Sequence, residues 1–184
     1  MKNALIKSLN FLHKQVDYFM DQSTTDPLTG LSNRRTLDVK MDELITSNTS
    51  FSIILMDIDH FKLVNDTYGH GIGDEVLQYL ALSMKVVTRS TDLCCRYGGE
   101  EFIILLPNTT MQGAFEIAEF LRMKLENTSS PTGNAITVSA GIAEFPTTET
   151  TSAKLIEIAD QCLYEAKNKG RNQVIISRSL NPTV

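Results

Sequence analysis

Apolar positions recur along this chain with two different periods, and the changes between them mark out its elements. At the N-terminus Leu5, Leu9, Leu12, Val16 and Phe19 follow one another at alternating spacings of four and three. That is the a/d seam of a heptad helix. Two readings stay open: an amphipathic helix lying on its own domain, or a stalk that pairs with a second copy. Only about two heptads are present, fewer than a self-evident coiled coil needs. Asp26-Pro27 ends the pattern, because proline disfavours α geometry in the residue before it.

Beyond Pro27 strands and helices alternate. Residues 51–58 (FSIILMDI) form a continuous apolar run closing in an acid, the pattern of a buried central strand. Residues 74–87 place Leu77, Leu80, Met84 and Val87 at helical spacing. Residues 95–106, broken at Gly98-Gly99, read as a β-hairpin. Residues 110–126 predict a helix burying Ala114, Ile117, Leu121 and Leu125, and 135–143 a strand. Residues 152–169 predict a helix with Leu155, Ile158, Cys162 and Leu163 inward, stopped by Gly170. A short strand at 174–177 comes last. The order predicts an α/β fold with a mixed, largely antiparallel central sheet flanked by helices. It divides the chain into an N-terminal helical stalk at 1–25, one domain at 26–178 and a tail at 179–184.

Length agrees, since 184 residues suffice for one domain with a sizeable core. A formal net charge of −5 without a Lys/Arg run excludes a coating role on DNA or RNA. A small anionic ligand stays compatible, because a few local cations and a metal reverse the sign within one pocket. Cys94, Cys95 and Cys162 lack metal-ligand spacing and fit free thiols in a reducing cytoplasm. The longest apolar runs, at 53–56 and 102–107, cannot span a bilayer, and no secretory signal is present. A membrane anchor in a longer parent protein stays open.

Chemistry concentrates at two places. Asp57 and Asp59 stand at the C-terminal end of the apolar run, two apart, so their carboxylates should be near neighbours on one face. Like charges at the edge of a core are costly unless a cation or hydrogen-bond donors compensate. A hard divalent ion is one solution, taking oxygen ligands and keeping positions for phosphates. Capping the next turn is the plain alternative for Asp59. The second place is Arg96-Tyr97-Gly98-Gly99-Glu100-Glu101-Phe102. Its glycines suit a tight turn and close approach by a ligand, and the two glutamates should lie on opposite faces of the following strand.

GGEEF at 98–102 resembles the signature of the GGDEF family of diguanylate cyclases, and the resemblance runs along nearly the whole chain from Asp26. DPLTGLSNRR (26–35), MDIDHFKLVND (56–66), GHGIGDEVL (69–77), SAGIA (139–143) and ADQCLYEAKNKGRN (159–172) are similar to further family motifs in the same order. Met56 stands where phenylalanine is usual and Cys162 where alanine is usual, both at expected core positions. The resemblance implies a nucleotide-cyclase, palm-like sheet. It implies that Asp57, the Ile58 carbonyl and Glu100 hold Mg²⁺, with Mn²⁺ as an alternative, and that Glu100 is the general base for the GTP 3′-hydroxyl. Asn65 and Asp74 would read guanine, whose paired N–H donors suit a carboxylate. His70 would touch the nucleotide.

The amides of His60, Phe61 and Lys62 follow the strand and could cradle an anion if they open a helical turn. Lys167 and Arg171, at family positions that reach the terminal phosphates, could otherwise merely complement a helix dipole, as Asp74 could at a helix start. Arg89-Ser90-Thr91-Asp92 is an RxxD whose offset matches the family's product-inhibition site; a surface ion pair is its ordinary explanation. The implied partners are GTP, cyclic di-GMP as product and inhibitor, and a second copy in a homodimer, with no nucleic-acid polymer and no membrane segment in this chain. A non-catalytic cyclic di-GMP sensor, a cyclase acting on one nucleotide and a structural dimerisation module are the competing readings. The first usually lacks these acids, the second does not need two facing sites, and the third leaves the acids unexplained.

Overall fold

The computed structural model describes residues 24–147, 149 and 151–177. The heptad residues and the 179–184 tail lie outside the described residues.

One strand organises the rest. β2 (Phe51–Ile58) is buried at every position, because both of its faces are covered. Ile54, Met56 and Ile58 face one core with residues of the helices His70–Val87 and Met111–Glu126. Phe51, Ile53 and Leu55 face a second core with residues of Arg34–Thr46 and Ser152–Asn168. Each fully buried side chain of this size contributes roughly 1.5–3 kcal/mol of burial free energy. The strand period carries Asp57 onto the second face, beside the last helix.

Six strands form the sheet, in the order β1-β3-β4-β2-β5-β6. They are β1 (Ser32–Asn33), β2, β3 (Leu93–Gly98), β4 (Glu101–Pro107), β5 (Val138–Phe145) and β6 (Val174–Ile176). β2 pairs antiparallel with β4 and β5, and β3 antiparallel with β4. Only the two edge pairs, β1 with β3 and β5 with β6, are parallel. The predicted mixed, largely antiparallel sheet is what forms.

Helices α1 (Arg34–Thr46), α2 (Phe61–Tyr68), α3 (His70–Val87), α4 (Met111–Glu126) and α5 (Ser152–Asn168) cover it. α1 has no counterpart among the sequence expectations, although Leu37, Met41 and Leu44 are buried at helical spacing and the Asn33 side chain caps it at the Thr36 amide. α3 begins at His70 rather than at 74, and its buried face holds Val76, Leu77, Leu80, Ala81 and Met84, with Val87 only partly buried. α4 buries Ala118 where the sequence placed Ile117, and α5 buries Ala159 where it placed Ile158. Each small alanine sits one position from the bulky residue, and at Ala159 the helix backbone packs directly against Gly141 of β5. β5 starts three residues later than expected, at Val138, and runs on to Phe145. Met56 and Cys162 are both buried.

Candidate active site

Asp57, the last residue but one of β2, lies opposite Glu101 of β4 and Ser139 of β5. Its side chain is 7% exposed, and Lys167 of α5 places Nζ 3.0 Å from Oδ2. Burial pushes the Asp57 carboxyl above the ordinary carboxylate range; Lys167 counters this by hydrogen bond and charge, Asp59 adds to it, and Arg171 opposes it. The two C-terminal cations of the sequence pattern therefore both act on Asp57. Ile58, whose side chain is fully buried, offers only its main chain here.

The hairpin turn brings more acid. Gly99 adopts φ 46, and Glu100 belongs to the turn itself, with only Glu101 on β4. This corrects the expectation of two glutamates on opposite faces of one strand: Gly98 still belongs to β3, so the two-residue turn is Gly99-Glu100 rather than Gly98-Gly99. Both carboxyls are pushed up, first by burial and next by the charge of Asp57, with Lys167 opposing. Glu101 also feels Asp160 and Arg34, which do not act on Glu100. Glu101 is thus turned toward α1 and α5, and Glu100 shares its field with Asp57 and Lys167.

Asp59 departs from the expected acid pair. Ser139 Oγ donates to Oδ1 at 2.7 Å, while Thr137 Oγ1 at 2.7 Å and the Asn172 amide at 3.0 Å donate to Oδ2. Protein donors, rather than a cation or a turn cap, compensate this carboxylate. Among the described residues no group of three or more His, Cys, Asp or Glu is gathered for a metal. The expected set asks only for the carboxylates of Asp57 and Glu100 and one carbonyl. All are oxygen donors, and burial holds both carboxyls above their ordinary range, so a hard divalent cation suits them.

The turn that carries Glu100 is anchored from a distance. Arg96 Nε and Nη2 donate to the Gly99 carbonyl at 2.9 and 2.8 Å, and Nη1 lies 3.2 Å from Asp26 Oδ2. Asp26 Oδ1 also accepts from the Thr29 amide at 2.8 Å and its hydroxyl at 2.7 Å. Burial alone would raise the Asp26 carboxyl, but the Thr29 bonds and Arg96 together hold it below its ordinary value. Neither Arg96 nor Asp26 stood among the candidate residues. The only sequence signal was their presence in the two motifs.

At the other side, α2 opens at His60, whose φ of 57 is left-handed and whose side chain makes no capping bond. The first amides of α2 are thus left for an outside acceptor. Phe61 is buried beneath them and Lys62 is exposed. α2 and α3 meet at Gly69 (φ 84), which places Asn65 against Gly73. A Cβ on Gly73 would collide with the Asn65 carboxamide oxygen and lie 3.1 Å from its Cγ. Close approach thus sets Asn65 against α3 one residue before the exposed Asp74. Because α3 starts at His70, Asp74 lies beyond the first turn, and the helix-dipole explanation loses force. His70 is the exposed first residue of α3.

Arg89 and Asp92 stand apart from all of this. They precede β3, whose six residues separate them from the Gly98–Glu101 turn by about 20 Å. The two side chains do not pair with each other: Asp92 Oδ2 accepts from the Arg89 backbone amide at 2.7 Å, and the Asp92 amide donates to the Arg89 carbonyl at 3.1 Å. The turn borders a cavity of about 500 Å³ that Lys40 and Lys85 also line.

Comparison with known proteins identifies the family and the fold. The family described as "Diguanylate cyclase, GGDEF domain" matches residues 23–173. Response regulator PleD of Caulobacter vibrioides is 38% identical over 175 residues, which are 90% of this chain and 38% of that protein. Diguanylate cyclase A of Treponema denticola is 38% identical over 173 residues, 89% of this chain and 47% of that protein. The chain therefore spans less than half the length of these two relatives. The crystal structure of the coiled coil and GGDEF domain of DgcB from Caulobacter crescentus, in complex with c-di-GMP, is similar at a TM-score of 0.76 and 31% identity. The likeness covers 95% of this chain and 96% of that one.

Proposed function

The chain belongs to the GGDEF family of diguanylate cyclase domains, and from that premise we propose that it joins two GTP into cyclic di-GMP and two pyrophosphates. The observation that carries the reading is the convergence of Asp57, Glu100 and Lys167 on one end of the sheet. The activity named for relatives such as Diguanylate cyclase A supports it.

In this reading the guanine lies between α2 and α3. Asp74 accepts from its N1–H and N2–H₂, and Asn65 meets O6, with His70 alongside. Adenine lacks that donor pair and would leave the Asp74 carboxylate unsatisfied. The triphosphate lies over the amides of His60, Phe61 and Lys62, with Lys62, Lys167 and Arg171 supplying positive charge. Asp57, the Ile58 carbonyl and Glu100 would hold Mg²⁺ or Mn²⁺. Such an ion supplies charge stabilisation at the α-phosphate and leaving pyrophosphate and helps ionise the nucleophile. Glu100 takes the proton of the 3′-hydroxyl as that oxygen bonds to the α-phosphorus of the second GTP and pyrophosphate departs.

The step repeated with roles exchanged closes the ring, so two domains must face each other. The heptad at 1–25 would pair them. That the similar DgcB chain includes a coiled coil supports this. Arg89 and Asp92, beside their cavity, would bind the product and inhibit. The domain would work in the cytoplasm, where Cys94, Cys95 and Cys162 stay free thiols. Among the described residues no helix is long and apolar enough to cross a membrane.

Purified protein incubated with GTP and Mg²⁺ should yield cyclic di-GMP, identified by mass and co-elution. GTP left intact, or turned into a monocyclic nucleotide, would refute the reading.

A further inference from the structure

Asp59 is a buried acid that the proposed reaction does not use. It is 6% exposed and spends both oxygens on protein donors. Two of those donors come from one stretch, Thr137 and Ser139, which the sheet already holds to β2. The third is different. The Asn172 amide follows Arg171, and both residues adopt positive φ, 65 and 46. Asparagine tolerates that region, but for Arg171 it is costly, so the surroundings must hold the Arg171 backbone in place. The Asn172 side chain does not support its own backbone: Oδ1 accepts from Arg122 at 3.0 Å, and Nδ2 donates to Glu126 at 2.8 Å. On the other side the Arg171 amide donates to the Ala166 carbonyl at 3.0 Å. The left-handed pair is therefore pinned between α5, α4 and the Asp59 carboxylate.

We propose that Asp59 is a positioning residue: by holding the Asn172 amide it keeps the Arg171–Asn172 turn in place and aims Arg171 at the phosphate end of the nucleotide. The inference rests on the reading given above, in which Arg171 meets the terminal phosphates. The turn already brings the Arg171 charge close enough to act on Asp57. Asp59 thus connects the acid end of β2 to the cation after α5 without touching substrate.

The test replaces Asp59 by Asn in the full chain, which puts an amide N–H₂ where protein donors point. GTP and GMP binding are measured by calorimetry, since GMP lacks the terminal phosphates. The expected result is GTP binding weakened about five- to tenfold with GMP binding within about twofold of the parent. In an Arg171→Ala background, Asp59→Asn should weaken GTP binding by less than about twofold further. Hydrogen exchange at the Asn172 amide should quicken in Asp59→Asn. Equal loss for GTP and GMP, or an undiminished loss on top of Arg171→Ala, overturns the proposal. So does unchanged exchange at Asn172. Should Asp59→Asn not fold, Thr137→Val and Ser139→Ala each remove one donor and carry the same comparison with smaller shifts. A parent that binds GTP but forms no cyclic di-GMP refutes the cyclase reading instead, and the exchange and binding comparisons still decide the role of Asp59.

Discussion

Burial holds the Asp57 and Glu100 carboxyls above their ordinary range, so their ionised forms are costly in the metal-free fold. The sign of the linkage follows. The folded state keeps these protons to higher pH than the unfolded chain does, so stability from these groups falls as pH rises from about 4 through the raised values. Asp26 acts oppositely, and its contribution is lost only as pH falls below about 4, which separates the two effects. A divalent cation at Asp57 and Glu100 would relieve the cost where they are ionised. Mg²⁺ should therefore raise Tm by more at pH 7 than at pH 4, and Asp57→Asn should abolish both that increment and turnover without lowering the metal-free Tm. Thermal scans with Mg²⁺ or chelator check this; an equal increment in parent and variant would remove Asp57 from the site. Gly73 offers a second test at this scale. Gly73→Ala should drive the Asn65 carboxamide aside, weaken GTP binding roughly tenfold and narrow the preference over ATP, with Asp74 untouched. Competition between the two nucleotides measures it. Asn65→Ala should then add little to Gly73→Ala, and full additivity would show that the two residues do not act together.

Among elements, the β3–β4 hairpin depends most on a distant partner. Arg96 joins the Gly99 carbonyl to Asp26, seventy residues earlier in the chain. Arg96→Ala should free the turn that carries Glu100, lowering kcat at least about tenfold while GTP affinity stays within about threefold. The lost charge-assisted bonds should cost about 1.5–3 kcal/mol of stability by denaturant titration. Asp26→Ala should do the same in part, and the double variant should fall short of the sum; simple additivity would mean that Arg96 and Asp26 are not one device. This clamp also shows where sequence reading stops. β2 was legible because burial on both faces leaves an unbroken apolar run, and the GG turn because its glycines are local. Arg96 and Asp26 were not, since a charged pair gains its meaning from a tertiary contact that no periodicity encodes. α3 was foreseen short by its first turn because the apolar spacing that marked it begins only at Leu77, yet the helix extends back through Gly73, where the missing Cβ admits Asn65. Asp59 looked like half of a metal pair until three donors from 137, 139 and 172 met it.

For the whole molecule, the proposed inhibition by product at Arg89 and Asp92 requires restraint of a site that the product does not enter. The Arg89–Asp92 turn and the Glu100 turn occupy opposite ends of β3, about 20 Å apart, so a ligand at one does not displace GTP at the other. The Arg89 side chain is exposed, and Lys40 and Lys85 border the same cavity of about 500 Å³, which gives a phosphodiester local positive charge on an otherwise acidic chain. Asp92 Oδ2 is engaged by the Arg89 amide at 2.7 Å, whereas Oδ1 has only the Thr91 hydroxyl at 3.4 Å, leaving it able to accept from guanine donors. Product bound here could link two domains in an arrangement in which their Glu100 turns no longer face. Cyclic di-GMP should therefore lower the maximal rate without raising the KM for GTP. Arg89→Ala should weaken this inhibition at least tenfold, the loss of one or two charge-assisted bonds of roughly 1.5–3 kcal/mol each. Initial rates with added product, for parent and variant, measure it, and the variant's uninhibited rate should stay within about twofold because Arg89 lies outside the catalytic cluster. Equal inhibition of both proteins, or inhibition that excess GTP relieves, would move the product back to the active site. Direct binding of cyclic di-GMP to Arg89→Ala in the absence of GTP separates these outcomes, since a true loss at this turn weakens binding whether or not the domains can pair.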